Sequence, residues 1–193
     1  MIYPASDEYI NLAHNALNNG EIIVYPTDTL YGFGVDATNT DAIRKLNALK
    51  GRAQPLSIIL ESIEHIHDFA ILDQSIESSI KELLPGSYTI LLANKPSNLS
   101  PLVQGGSPKI GIRIPKHFFS INLVTLLGRP IITTSINRHG NEPLNDVTQV
   151  EIDFPNIDIF EDPQHISSKG STIIDFCISP PKIIRAGDSP YPL

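Results

Sequence analysis

Two hydrophobic periods alternate along this chain, and the switches between them mark out its helices and strands. Ser6 is placed to cap a helix running to about Asn19, with Tyr9, Ile10, Ala13, Ala16 and Leu17 on one stripe and Gly20 as its stop. An apolar run over 21–25 reads as a strand. A second helix starts at Thr40 or Asp41, turns Ile43, Leu46 and Leu49 to the core and ends at Gly51, which puts Lys50 at a helix C-terminus. Residues 56–60 read as a buried strand, 75–84 as a helix closed by Pro85-Gly86, and 88–93 as another strand. In 109–114 the period is two, so Ile110, Ile112 and Ile114 share one face while Gly111 and Arg113 take the other. A helix over 117–127 stops at Gly128, and a strand over 130–134 leads into Thr133-Thr134-Ser135-Ile136-Asn137. Residues 138–156, with Gly140, Pro143 and Pro155, read as an irregular connection, and strands near 157–160, 171–177 and 182–185 complete the pattern.

Helices alternating with strands give an α/β fold. With 193 residues, 41% of them hydrophobic and 18% charged, the chain can build one sizeable core, so a single domain over 1–193 is expected. The N-terminal residues lack the basic start and apolar run of a signal peptide, and no apolar stretch reaches membrane-spanning length; a cytoplasmic protein with no membrane contact is the expectation. One cysteine, Cys177, excludes a disulfide framework and a Cys-based zinc cluster, and it carries no sign of activation. A formal net charge of -7 argues against a long nucleic-acid footprint, so any RNA contact should be local. Basic residues nevertheless fall at Lys50, Arg52, Arg113 and Arg185, inside the segments that carry candidate chemistry.

Chief among those segments is Tyr25-Pro26-Thr27-Asp28-Thr29-Leu30-Tyr31-Gly32, which sets hydroxyls and a carboxylate at a strand end, followed by Lys50-Gly51-Arg52. Hydroxyl-rich turns beside a Lys point charge and an Arg fork suit a ligand bearing phosphate or carboxylate groups. Taken singly, Thr27, Asp28 and Thr29 also fit turn and cap chemistry, and Lys50 could merely offset its helix dipole. Arg113 sits opposite three isoleucines, which favours a site. Gly32-Phe33-Gly34-Val35-Asp36-Ala37 matches the letters of a dinucleotide fingerprint, but the next helix signal begins only near Thr40 and Lys50-Gly51-Arg52 stands where an acidic residue belongs. His65 and His67, two apart in a helical segment, do not share a face and make no metal pair. His117 and His139 lie near strand ends, where solvated or capping roles fit them.

These blocks, in their order, resemble the threonylcarbamoyl-AMP synthases, the YrdC/Sua5-type proteins. The likeness rests on residues 25–32, on Lys50-Gly51-Arg52 with Pro55-Leu56, and on Pro85-Gly86-Ser87-Tyr88-Thr89. It continues through Ile110-Gly111-Ile112-Arg113-Ile114-Pro115, Thr134-Ser135-Ile136-Asn137, 170–175 and Ile184-Arg185-Ala186-Gly187. The resemblance implies a twisted mixed β-sheet flanked by helices around a concave, positively lined pocket, the YrdC-like fold. It further implies ATP, L-threonine and bicarbonate as substrates, Mg²⁺ with the ATP, and threonylcarbamoyl-AMP and pyrophosphate as products. The product would pass to the machinery that transfers the threonylcarbamoyl group to tRNA for the t6A modification. Carried over by position, Lys50 and Arg52 are the catalytic cations; Thr29, Arg113 and Ser171 hold threonine; Lys50, Arg52, Ser135, Asn137 and Arg185 face the nucleotide; Tyr31 and Thr89 shape the pocket. No protein metal ligand is implied.

The chain departs from the family pattern in places. Only Ala53-Gln54 separate Arg52 from Pro55, Ile59 stands where many members carry a histidine beside the ligand, Ala186-Gly187 replaces Pro-Gly, and the C-terminal domain of longer Sua5 members is not expected here. Two alternatives stay open: a YciO-like paralogue acting on another carbamoyl or acyl adenylate, and a non-catalytic RNA-binding or ribosome-associated module.

Overall fold

The computed structural model describes residues 1–138, 140–165 and 167–191. Its strands are β1 (Ile2–Pro4), β2 (Ile23–Tyr25), β3 (Gly32–Gly34), β4 (Ser57–Ile59), β5 (Tyr88–Ala93), β6 (Lys109–Arg113), β7 (Ile131–Ser135), β8 (Asp158–Glu161), β9 (Thr172–Asp175) and β10 (Lys182–Arg185). Its helices are α1 (Ile10–Asn18), α2 (Thr40–Lys50), α3 (Ile66–Phe69), α4 (Gln74–Leu83), α5 (Phe118–Leu127) and α6 (Val147–Asp153). Among the described residues the strands join in one mixed sheet of order β1-β8-β2-β3-β7-β4-β6-β5-β9-β10. The β1/β8, β8/β2, β4/β6 and β5/β9 pairs are parallel and the others antiparallel. The expected α/β mixed sheet with flanking helices is therefore present.

Alternation along the strands divides the apolar residues between two faces. On one face Phe33, Ile58, Ile90, Ile112 and Ile132 pack with Ile43 and Leu46 of α2 and Ile80 and Leu83 of α4. On the other, Ile23, Tyr25, Ile59, Ile131 and Phe160 lie beneath Ala13 and Leu17 of α1 and Phe119, Leu123 and Leu127 of α5. These two helices cover only part of their face. Along β7, Ile131 is under the helix layer, but Thr133 and Ser135, two and four residues on and pointing the same way, line an open cavity. In β4 the change runs from Ile59, covered, to Ser57 at the cavity. The site is thus the uncovered end of a face whose other end is core.

Several element boundaries depart from the sequence expectation for local reasons. Ser6 does not cap α1: the Ala5 amide donates to the Glu161 carbonyl at 2.7 Å, holding the chain against the sheet edge, so a turn over 6–9 precedes a helix that begins at Ile10 with no side-chain cap. α2 does start at Thr40, as expected; its cap is Asn39, which accepts from the amides of Asp41 (3.1 Å) and Ala42 (3.0 Å), while Gly51 closes it at φ +67°. The stretch expected to be irregular contains α6, started by Asp146 and buried through Val147 and Val150, with Phe154 just beyond. β3 escaped notice because glycine is a poor strand former. Gly34 is required there, since a Cβ would lie 2.6 Å from Cε1 of Tyr25.

Candidate functional site

A cavity of about 200 Å³ opens where the helix layer stops. Its walls come from eight places in the chain: Thr29, Leu30 and Tyr31 between β2 and β3; Arg52 just past α2; Pro55, Leu56 and Ser57; Thr89 of β5; Arg113, the last residue of β6; Thr133, Thr134 and Ser135 of β7; Gly170, Ser171 and Ile173 from β9 and its approach; and Arg185 at the end of β10. Three guanidinium groups separated by as many as 133 positions therefore meet in one depression.

Arg113 is buried, and burial lowers its pKa while the Asp28 carboxylate opposes that shift. Its Nη2 donates to Asp28 Oδ1 at 2.8 Å and to Thr29 Oγ1 at 2.9 Å. Asp28 in turn accepts from the Lys116 amide at 3.0 Å, so the carboxylate that orients Arg113 is itself anchored. The buried Nε of Arg113 has no acceptor among the described residues, the kind of orphan that calls for a partner. Proton directions in the adjacent turn follow from counting. Thr27 Oγ1 donates its one proton to the Leu30 carbonyl at 2.7 Å, so at the 3.1 Å contact between the two hydroxyls Thr29 must donate and Thr27 accept. Thr29 Oγ1 receives Arg113 on its other side.

Opposite, Ser171 and Thr89 share a hydroxyl hydrogen bond of 2.7 Å. Arg185 donates through Nη2 to the Ser171 carbonyl (2.8 Å) and hydroxyl (3.1 Å), and through Nε to the same carbonyl (3.2 Å). Ser171 Oγ thus accepts from Arg185. Partial burial, with the charge of Arg113 nearby, lowers the Arg185 pKa. Arg52 differs from both: no hydrogen bond or ion pair to its side chain is found among the described residues, and it lines the cavity as an uncommitted cation.

Lys50 and Asn137 stand behind the wall instead of in it. The Lys50 ammonium, 1% exposed, donates to the carbonyl of Ser135, to Asn137 Oδ1 at 2.8 Å and to the Asn137 carbonyl at 3.2 Å. Ser135 Oγ donates to the same Oδ1 at 3.0 Å, and Asn137 Nδ2 donates to the Asn141 carbonyl at 2.7 Å. Burial, and secondly Arg52, lower the Lys50 pKa to about 7. Its acceptors fix the end of β7, which presents Ser135 to the cavity.

Tyr31 forms a side wall. Its hydroxyl donates to the Asp162 carbonyl (3.1 Å) and accepts from the Asp162 amide (2.9 Å), its ring lies 4.3 Å from that of His165, and burial pushes its pKa up to about 12. With its proton committed to the Asp162 carbonyl, it serves as a structural wall.

Eight of the ten residues assigned from sequence, namely Thr29, Tyr31, Arg52, Thr89, Arg113, Ser135, Ser171 and Arg185, line this one cavity, with Lys50 and Asn137 one layer behind. Sequence reasoning gave Asp28 no role in the site; its place next to Thr29 was the available signal. Ile59 is buried under α1 and α5 and does not line the cavity. His117 pairs with Asp162 at 3.2 Å, outside the cavity lining, and His139 lies outside the described residues. Among the described residues no group of three or more His, Cys, Asp or Glu side chains is placed to hold a metal ion, and no helix is long and apolar enough to cross a membrane.

Comparison with known proteins agrees with this geometry. The chain is 34% identical over 151 residues to the threonylcarbamoyl-AMP synthase of Methylococcus capsulatus, covering 76% of this chain and 80% of the relative. It is 34% identical over 138 residues to that of Bacillus subtilis, covering 70% and 40%. The structure of Pyrococcus abyssi Sua5 complexed with L-threonine superposes with a TM-score of 0.86 at 27% identity, over 97% of this chain and 56% of that one. The chain spans about half the length or less of the latter two. The profile of the Sua5–YciO–YrdC family, described as "Telomere recombination", matches residues 15–187, and the chain belongs to that family.

Proposed function

We propose that this chain is a threonylcarbamoyl-AMP synthase, a nucleotidyltransferase that joins L-threonine, bicarbonate and ATP. The observation that carries the reading is the meeting of Arg52, Arg113 and Arg185 with Thr29, Ser135 and Ser171 in one cavity. Before the first step the threonine ammonium gives a proton to solvent; the free amine then bonds to the bicarbonate carbon and water leaves, giving a carbamate. In the second a carbamate oxygen bonds to the α-phosphorus, the bond from that phosphorus to the β-phosphate bridging oxygen breaks, and pyrophosphate leaves.

Neither step needs a protein nucleophile. What they need is alignment of carbamate with phosphorus and compensation of charge on phosphate oxygens. Arg113, with its donors beyond Asp28, suits the amino-acid carboxylate, and Thr29, Ser171 and Thr89 surround it with hydroxyls. Arg52, which has no partner of its own among the described residues, suits the phosphates together with Arg185, and Lys50 sets Ser135 and Asn137 at the same end. The cavity lining holds no carboxylate among the described residues, so Mg²⁺ belongs to the nucleotide substrate, held by its phosphates. The product would go to a tRNA threonylcarbamoyl-transfer step, and the chain would work in the cytoplasm.

The test supplies ATP, Mg²⁺, threonine and bicarbonate and follows pyrophosphate release and the mass of the adenylate. No ATP turnover, or turnover that ignores threonine, refutes the proposal. A higher kcat/KM for a different amine or acid would instead select a YciO-like enzyme making another carbamoyl or acyl adenylate.

A further inference from the structure

A strap formed by residues 186–190 lies across the segment that leads into β9. The Gly187 amide donates to Thr172 Oγ1 at 3.0 Å, the Asp188 amide donates to the Gly170 carbonyl at 3.0 Å, and Thr172 Oγ1 donates to the Ser189 carbonyl. A Cβ on Gly187 would lie 2.2 Å from the Gly170 carbonyl oxygen and 2.4 Å from the Ser171 carbonyl carbon, so the two backbones are pressed together with no room for a side chain between them. The far end of the strap is tied to β5, because Tyr88 Oη donates to the Pro190 carbonyl at 2.7 Å. The strap therefore bridges the two segments that supply Thr89 and Ser171 to the cavity.

Asp188 makes the side-chain contacts of this bridge. Its carboxylate accepts from Ser168 Oγ and, at 2.8 Å, from the Lys169 amide, while Ser168 Oγ accepts from the Gly170 amide at 2.9 Å. Gly170 adopts φ +93° and lines the cavity beside Ser171. Asp188 itself is exposed and is not part of the lining. The Ser168-Lys169-Gly170 segment, half-buried at Ser168, exposed at Lys169 and buried at Gly170, loses much conformational freedom when ordered. If the carboxylate meets that cost beforehand, the ligand does not have to.

We infer that Asp188 is a positioning residue for the amino-acid wall of the cavity: by holding residues 168–170 it fixes the Ser171 hydroxyl against Thr89 and Arg185. The inference rests on the reading that this wall faces threonine. An exposed side chain can be removed without opening the core, so Asp188→Ala should fold. Asp188→Asn keeps an acceptor for the Lys169 amide and an N–H group that can meet Ser168 Oγ.

The experiment measures KM for threonine and for ATP, and hydrogen exchange of the 168–171 amides, in the native protein and both variants. Asp188→Ala should raise the threonine KM about tenfold, as loss of charge-assisted hydrogen bonds implies, with the ATP KM unchanged and faster exchange at 168–171. Asp188→Asn should stay within about twofold of the native protein, since amide bonds replace the charge-assisted ones. An unchanged threonine KM, an equal rise for both substrates, or an Asn variant as impaired as the Ala variant overturns the inference. If the native protein neither binds threonine nor makes the adenylate, the functional reading fails; the positioning claim then stands or falls on whether Asp188→Ala alone speeds exchange at 168–171.

Discussion

Replacing Asp28 by Asn removes one charge from a pair that water barely reaches: the side chains of Arg113 and Asp28 are 7% and 9% exposed, and their N···O distance is 2.8 Å. Two unit charges with centres roughly 4 Å apart attract by about 4 kcal/mol at the effective dielectric near 20 that suits such sites. Arg113 remains buried in the variant, so its desolvation cost is no longer offset, while Asn still offers an oxygen to Nη2. The expected loss is about 3 kcal/mol, in the range found when one partner of a buried pair is deleted. For a chain of this size that corresponds to a fall in Tm of roughly 6–12 °C. Urea unfolding of Asp28→Asn, Arg113→Met and the double variant gives the cycle. The double variant should be less destabilised than the sum of the single ones by about 2 kcal/mol, a share of the worked Coulomb attraction. A single-variant loss below about 0.5 kcal/mol, the size of an ordinary surface change, or strict additivity, would show that the pair does not hold the turn. Added threonine should then raise the Tm of Asp28→Asn more than that of the native protein, because a ligand carboxylate can stand in for the missing charge.

Other expectations follow from the same geometry. Arg52→Ala should leave stability within about 0.5 kcal/mol, since no partner among the described residues is lost, yet weaken ATP binding by about tenfold or more; calorimetry showing unchanged ATP affinity would remove Arg52 from the phosphate site. Lys50 has a folded-state pKa near 7 against 10.5 for the free side chain. Between those values the unfolded chain binds the extra proton, so the stability of the native protein relative to Lys50→Met should rise with pH from about 7 to 10, by up to about 1.4 kcal/mol per unit, and stay flat below 7; denaturation at pH 6, 7.5 and 9 reads this slope, and a difference that falls with pH contradicts it. Gly34→Ala should cost about 1–3 kcal/mol, because its Cβ would meet the Tyr25 ring at 2.6 Å; thermal melting that is unchanged would mean the ring moves freely.

The long periodic elements were legible in the sequence because burial and period agree there: Ile43 and Leu46 of α2 and Ile110, Ile112 and Ile114 in and beside β6 all pack in the core where the pattern places them. Two short strands were not: β1 depends on a distant partner, Ile159 for Ile2, and β3, two of whose three residues are glycine, gives no apolar alternation although it pairs with β2 as well as with β7. The site was legible as a set of residue types at strand ends, and its cations Arg52, Arg113 and Arg185 do meet. The support behind it was less so. That Lys50 turns inward to Ser135 and Asn137, and that Asp28 is bolted by the Lys116 amide, depends on three-dimensional packing that spacing does not encode.

The passage along β7 from Ile131 beneath the helices to Ser135 at the opening has a consequence for motion. β7 is flanked by β3 and β4 and belongs to the middle of the sheet, where opening to solvent requires unfolding most of the molecule. The floor on which a ligand rests is therefore as stiff as the protein allows, whereas Arg52 just past α2, Arg185 on the edge strand β10 and the loops around them hang from the periphery. Occupancy should slow amide exchange around the mouth and leave β7 as protected as it was before.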